Sequence, residues 1–206
     1  FKPNSMMIQK FWLYLYRGGI ITSKNSVIKE ILDWSIHIII AILLGLFIVN
    51  FVAQITIVSG SSMEITLHDG DRLIIEKIGP RFNKLKRGDI VTINSYPNLE
   101  AERSPIIKRI IGIEGDKVEI RDGKVFVNDI SIEENYINVG SEGTLQVEPQ
   151  YSEIIVPKGH IYVLGDNRLP ACSKDSRVFG TVSIGSVGGR AFFRFYPLNK
   201  IGFLSN

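Results

Sequence analysis

The sequence predicts a mostly β fold: a coiled antiparallel β-sheet domain with a small inserted β subdomain, preceded by one N-terminal transmembrane helix. Three observations predict it. From Trp34 to Met63 no side chain carries a full charge at neutral pH, His37 being the one titratable group. Beyond that stretch the chain breaks into short β-type runs separated by glycine and charged turns. Nothing after Ser62 keeps a helical period over a useful length, which favours a sheet coiled on itself.

The N-terminal segment, residues 1–33, carries five basic and two acidic side chains. The whole 206-residue chain has 24 basic and 21 acidic residues, so the remainder nets zero. This distribution excludes a broad nucleic-acid-binding face on the main domain. It suits a basic segment lying beside anionic membrane lipid. The Phe11–Tyr16 run, Phe11-Trp12-Leu13-Tyr14-Leu15-Tyr16, reads as an interfacial aromatic patch.

The transmembrane helix is assigned to residues 34–57. Its centre, Ile38 to Val49, is almost wholly apolar. About 20 residues cross a hydrocarbon core about 30 Å thick. A buried helix of a soluble domain is the bland alternative. A cleaved secretory signal is another, but the stretch exceeds the usual apolar core of about 7–15 residues and starts late in the chain. The basic segment predicts a cytoplasmic N-terminus and a single-pass protein of the plasma membrane, with residues 58–206 outside the cytoplasm.

The outer domain follows as a series of runs. Arg72–Lys77 follows a His-Asp-Gly-Asp turn, and Asp89–Ile93 follows Arg87-Gly88. Lys117–Arg121 alternates with period two, and Asp122-Gly123 then turns the chain into Lys124–Val127. Asp-Gly between two such runs is a strong hairpin signal. Ile154–Val156 and His160–Leu164 flank Pro157-Lys158-Gly159, and Gly189–Pro197 reads as a last aromatic strand. Residues 114–159 are read as the inserted β subdomain. At 45% apolar residues a buried core is feasible. It must hold without a disulfide, because Cys172 is the lone cysteine. The histidines His37, His68 and His160 are scattered, and no metal or cofactor is called for.

Two residues carry candidate chemistry. Ser62 lies in Ser59-Gly60-Ser61-Ser62-Met63, just beyond the apolar stretch. Lys108 lies in Ile106-Ile107-Lys108-Arg109-Ile110-Ile111. On a strand, Ile106, Lys108 and Ile110 share one face. Burial between isoleucines disfavours the ammonium and lowers its pKa. A neutral lysine is an alternative base for a nucleophilic serine. The bland readings are a turn serine and a lysine that snorkels from an edge strand.

Taken together, three blocks in order resemble bacterial type I signal peptidases, serine–lysine endopeptidases of exported proteins. They are Ser59–Leu67, then Gly88–Val91 with Ile107–Asp116, and finally Gly165–Arg168 with Ser173–Gly180. The resemblance covers the chain from the anchor to the C-terminus. It implies Ser62 as nucleophile and Lys108 as general base. It implies that Ser173 hydrogen-bonds the lysine amine. Asp175 and Arg177, with Asp166 and Arg168, are implied to form an ion-pair network around Arg109. Substrate is implied to add as a strand along Gly60-Ser61 and Ile106-Ile107, with Met63 and Ile107 lining shallow apolar pockets. The implied partners are signal peptides of exported precursors and membrane lipid.

Two departures stand out. Ile65 replaces the usual proline, and Leu169-Pro170-Ala171-Cys172 fills a gap that is usually two residues long. They suggest a specialised member serving pilin or surface-protein precursors. A competing class of function is a non-catalytic assembly factor for such subunits, using the same cleft. A third is a self-cleaving soluble regulator, which the apolar anchor opposes. His68 or His160 as a base and Cys172 as a nucleophile are minor candidates, since neither has a partner in the pattern.

Overall fold

The computed structural model describes residues 24–82, 84–97 and 105–204. The aromatic run Phe11–Tyr16 lies outside them. The chain divides into two compact units, residues 1–47 and 48–206.

The described part of the first unit is one helix, α1 (Lys24–Phe47). Polar side chains on it satisfy themselves on its own carbonyls. Ser35 Oγ donates to Ile31 O at 2.7 Å, and His37 Nδ1 lies 2.6 Å from Asp33 O. Such local bonding is what a helix in hydrocarbon requires. The stretch Val27–Val52 is long and apolar enough to cross a membrane, and its apolar window is unburied by protein. At 1.5 Å per residue its 26 residues reach about 39 Å, more than a hydrocarbon core.

The second unit begins with a wider helical turn, Ile48–Val52, and then β1 (Ala53–Ile57). Sequence analysis ran the helix to residue 57. The structure instead ends it at Val52, because β-branched Ile55, Thr56 and Ile57 pair in an antiparallel ladder with β2 (Arg72–Glu76). Carbonyls at the end of the wide turn are capped by basic side chains. Lys77 Nζ donates to Val49 O, and Arg81 donates to Asn50 O and Phe51 O. Arg81 belongs to a short helix, α2 (Ile78–Arg81).

The remaining strands of the main sheet are β3 (Ile90–Ile93), β4 (Ile106–Ile113), β9 (His160–Leu164), β10 (Val182–Ser183), β11 (Val187–Tyr196) and β12 (Gly202–Phe203). Their order is β1-β2-β11-β3-β4-β9-β10, with β12 on β11, and every pair is antiparallel. Register shifts in β4 and β11 curl the sheet. Between β4 and β9 the chain forms a second sheet of β5 (Lys117–Arg121), β6 (Lys124–Val127), β7 (Ile130–Ser131) and β8 (Glu153–Ile155). Asp122 and Gly123 turn β5 into β6 with φ of 49° and 72°, the positive pair a tight hairpin needs.

Strands β4 and β9 are buried on both faces, so alternate residues feed different cores. Ile110, Ile161 and Val163 pack with Val91, Ile93, Phe179 and Val182. Ile111, Tyr162 and Leu164 pack with Val118, Ile120, Val125 and Val127 of the second sheet. A third cluster gathers Val58, Met63, Leu67, Leu73, Ile75, Ile90 and Ala191. Gly112 lets the second sheet approach β4, since a Cβ there would run into Val118, Val156 and Tyr162. Gly112→Val is therefore expected to lower unfolding free energy by about 1–3 kcal/mol in denaturant titration of the detergent-solubilised protein. An unchanged midpoint would contradict so close an approach of the second sheet to β4.

Candidate active site

Ser62 sits on a closed loop between β1 and β2. Val58 N–H donates to Asp71 O at 2.8 Å, and Gly70 N–H donates to Val58 O at 3.0 Å. Asp69 Oδ1 accepts from Gly60 N–H at 2.8 Å. Met63 and Leu67, one helical turn apart, are joined by Leu67 N–H to Met63 O and are both buried in the third core. They fix the loop from beneath and leave Ser62 part-exposed at its rim. The Glu64–Ile65 peptide, at the position of the absent proline, is cis.

Lys108 comes from the middle of β4 and is only 2% exposed. Its neighbours on one face, Ile106 and Ile110, belong to the first core. Its Nζ lies 2.6 Å from Ser62 Oγ. Burial lowers the amine's pKa to about 8. Asp175 and Asp166 pull it up more weakly, and Arg177 pushes it down. The mechanism is desolvation first and charge second.

Pairing around β4 explains why the serine can reach the amine. On the β3 side the ladder runs from Ile106, opposite Ile93, to Arg109, opposite Ile90. On the β9 side it begins only at Arg109, opposite Leu164. Beyond Leu164 the chain turns away through Gly165. A Cβ on Gly165 would fall within 3.0 Å of Ser173 Oγ and of the Ser62 carbonyl, so this turn must be glycine. The Ile106–Ile107 edge facing that gap has no strand partner among the described residues. Both isoleucines are half-buried there.

The turn after β9 binds the serine loop directly. Asn167 N–H donates to Ser62 O at 3.1 Å, and Asn167 Nδ2 donates to Ser61 O at 3.0 Å. Asp166 Oδ2 accepts from Thr66 Oγ1 at 2.5 Å. Asp166 also receives both arms of Arg109, from Nε at 2.9 Å and Nη2 at 2.7 Å. Arg109 thus ties the lysine's strand to the serine's loop through one carboxylate.

Three expectations from the resemblance need correction. The Ser173 hydroxyl donates to Asp175 Oδ2 at 2.7 Å and not to the lysine amine, so it reaches Lys108 through the Asp175 charge. Ser176 does not replace it, for its Oγ accepts from Val163 N–H at 2.9 Å. The ion pairs do not form one ring around Arg109. Asp175 pairs with Arg177 of α3 (Ser176–Phe179), at 2.8 Å from both Nε and Nη2. Arg168 pairs with Glu134, a residue the sequence did not single out. Met63, 1% exposed, is core and offers at most the floor of a pocket. Asn167 and Tyr136 were also missed. Asn167 lies inside the Gly165–Arg168 block, whereas Glu134 and Tyr136 follow β7 in a stretch without periodicity.

His160 is exposed and has its Nδ1 2.9 Å from Lys158 O, while His68 Nδ1 faces Lys200 Nζ at 3.5 Å. Neither hydrogen-bonds Ser62. Cys172 is a half-buried free thiol. Among the described residues no group of three or more His, Cys, Asp or Glu side chains could hold a metal ion.

Known proteins resemble the chain over most of its length. Residues 31–196 match the family described as signal peptidase, peptidase S26. The probable signal peptidase I-2 of Synechocystis sp. is 40% identical over 168 residues, covering 81% of this chain and 73% of that protein. Signal peptidase IB of Staphylococcus aureus is 33% identical over 184 residues, covering 84% of this chain and 93% of that one. A signal peptidase I crystal structure from Enterococcus faecalis V583 is 34% identical, covering 52% of this chain and 95% of that one at a TM-score of 0.43. The sequence matches define a hydrolase of the serine protease class. The chain belongs to the signal peptidase family, peptidase S26.

Asp175 is fully buried, and burial alone would raise its pKa. Hydrogen bonds and charge from Arg177, with Gly165 N–H and Ser173, carry it below the usual carboxylate value instead. Its stabilisation is therefore complete above an unfolded pKa of about 3.9 and is lost as pH falls through the lower folded value. Asp175→Asn is expected to cost about 3–5 kcal/mol in denaturant unfolding at neutral pH, because Arg177 stays buried and uncompensated. The gap from wild type should narrow below about pH 4.

Proposed function

We propose that the protein is a membrane-bound endopeptidase that removes signal peptides from exported precursors with a Ser62–Lys108 dyad. The observation that carries this reading is the 2.6 Å separation of Ser62 Oγ from a buried amine whose pKa is lowered to about 8.

The neutral amine takes the Ser62 hydroxyl proton as the oxygen attacks the scissile carbonyl. The backbone N–H of Ser62 donates to the oxyanion that forms. The resulting ammonium returns the proton to the leaving amine, which departs as the new N-terminus. The amine then takes a proton from water, whose oxygen attacks the acyl-serine; as the acyl–Oγ bond breaks, the ammonium returns that proton to Ser62 Oγ and the signal peptide leaves with a free carboxyl end. Arg109, Asp166, Asp175 and Arg177 hold the geometry, while burial favours the neutral amine against the pull of the two carboxylates.

Substrate would enter as a strand between Gly60-Ser61 and the unpaired Ile106-Ile107 edge, taking register from main-chain hydrogen bonds. Ile107 bounds a small apolar subsite above Met63. The apolar helix is the single-pass anchor of the plasma membrane, with its N-terminus cytoplasmic and residues 58–206 outside, beside lipid. Pilin or surface-protein precursors as a narrower substrate set rest on the two sequence departures alone and are not carried forward. An assembly factor would not need a buried, low-pKa lysine against a serine, so that reading is set aside.

Lys108→Ala is expected to lower cleavage of a purified exported precursor by about 10²–10⁴-fold, and Ser62→Ala to abolish it, with insertion and folding intact. Retained cleavage in either variant contradicts the dyad. In wild type, kcat/KM should rise with unit slope on the acid side and level off above about pH 8, since one unit below the pKa only about one enzyme in ten holds a neutral amine. A profile flat from about pH 6 to 9 would exclude lysine as the base.

A further inference from the structure

We infer that Glu134, in the segment that leaves the inserted sheet after β7, is a positioning residue for the reaction at Ser62. This rests on the proposed Ser62–Lys108 chemistry.

The turn Gly165–Arg168 is the piece that joins the two reacting side chains. It holds Ser62 and Ser61 through Asn167, Thr66 through Asp166, and the lysine's neighbour Arg109 through Asp166. What holds the turn itself comes largely from the inserted subdomain. Asn138 N–H donates to Asp166 O at 2.9 Å, and Arg168 N–H donates to Asn138 O at 2.7 Å. Arg168 Nε donates back to Gly165 O at 2.6 Å, clamping the turn across its own width.

The Arg168 guanidinium is fully buried, and Glu134 is the carboxylate that forks onto it, at 3.2 Å from Nη1 and 2.5 Å from Nη2. Thr144 Oγ1 accepts from Nη1 at 2.9 Å. Glu134 Oε1 also accepts from Tyr136 OH at 3.2 Å. The Arg109 guanidinium carbon lies over the Tyr136 ring, 3.9 Å from its centroid. One buried carboxylate therefore orients both the arginine that clamps the turn and the ring that backs the arginine beside Lys108. Buried forked pairs of this kind fix geometry, because the planar guanidinium accepts one orientation only.

A displacement of the turn by a fraction of its hydrogen-bond length would separate Ser62 from Lys108 without touching the substrate edge at Ile106-Ile107. Ser61 borders the proposed substrate strand and is held by the same turn, so KM shifts a little, but the main consequence is a fall in kcat. The test uses the full-length protein in detergent and a purified exported precursor bearing its signal peptide. Glu134→Gln should lower kcat per folded molecule by about 10- to 100-fold with KM within about twofold. Exposed Glu133→Gln should leave both unchanged.

A second variant keeps the test decisive if Glu134→Gln fails to fold. Glu134→Leu with Arg168→Met removes both buried charges and should recover thermal stability while kcat stays at least about tenfold low. The inference is overturned if Glu134→Gln keeps full kcat, if Glu133→Gln falls as far, or if the double variant recovers kcat together with folding. Ser62→Ala in the same assay separates the two levels. Cleavage by Ser62→Ala sinks the dyad itself, whereas an inactive Ser62→Ala beside a fully active Glu134→Gln sinks only the positioning role.

Discussion

A lysine amine kept dry against a serine hydroxyl is the constraint around which this domain is built. An ammonium at Lys108 would seek water or a carboxylate. The fold withholds the water by seating the residue in the middle of β4, 2% exposed. It also withholds a direct carboxylate partner: the Lys108 amine faces Ser62, while Asp166 and Asp175 are engaged by arginines. A carboxylate in contact would hold the amine protonated and end its use as a base. Two carboxylates acting only through space leave the pKa near 8.

That arrangement needs arginines in the interior, and the fold supplies them with partners one by one. Arg109, Arg168 and Arg177 are all buried, and each is matched to an acid: Asp166, Glu134 and Asp175. Buried pairs of this sort add little net stability over apolar packing, but breaking one is costly. Their value here is directional. Arg109 locks the strand of Lys108 to the loop of Ser62, while Arg177 and Asp175 brace the segment on which Ser173 sits. Conformational entropy that the Ser62 loop would otherwise retain is removed in the folded domain.

The lysine was legible in the sequence because strand alternation alone places it between Ile106 and Ile110, and the serine because it follows an anchor and a glycine. The hairpin at Asp122-Gly123 was legible from local turn chemistry. Strand β1 was not, because Ala53–Ile57 continues the uncharged stretch without a break in charge or a turn residue, and pairing with β2 is what marks it off. Glu134 was hidden for a different reason. It lies 34 residues from Arg168 in sequence, and a buried carboxylate in an aperiodic segment looks like a solvated one until its partner is placed. The Ser173–Asp175 hydrogen bond was not legible, because the residue pattern says which groups gather but not which proton goes where.

The most direct test of the account is a titration of the Lys108 amine itself. In full-length protein labelled at lysine Cε and Nζ, with Lys108 assigned by its loss in Lys108→Ala, the NMR shift should move with a midpoint at about pH 8. A midpoint near an ordinary lysine value of about 10.4 would contradict it, since the amine would then be charged wherever the enzyme is asked to work.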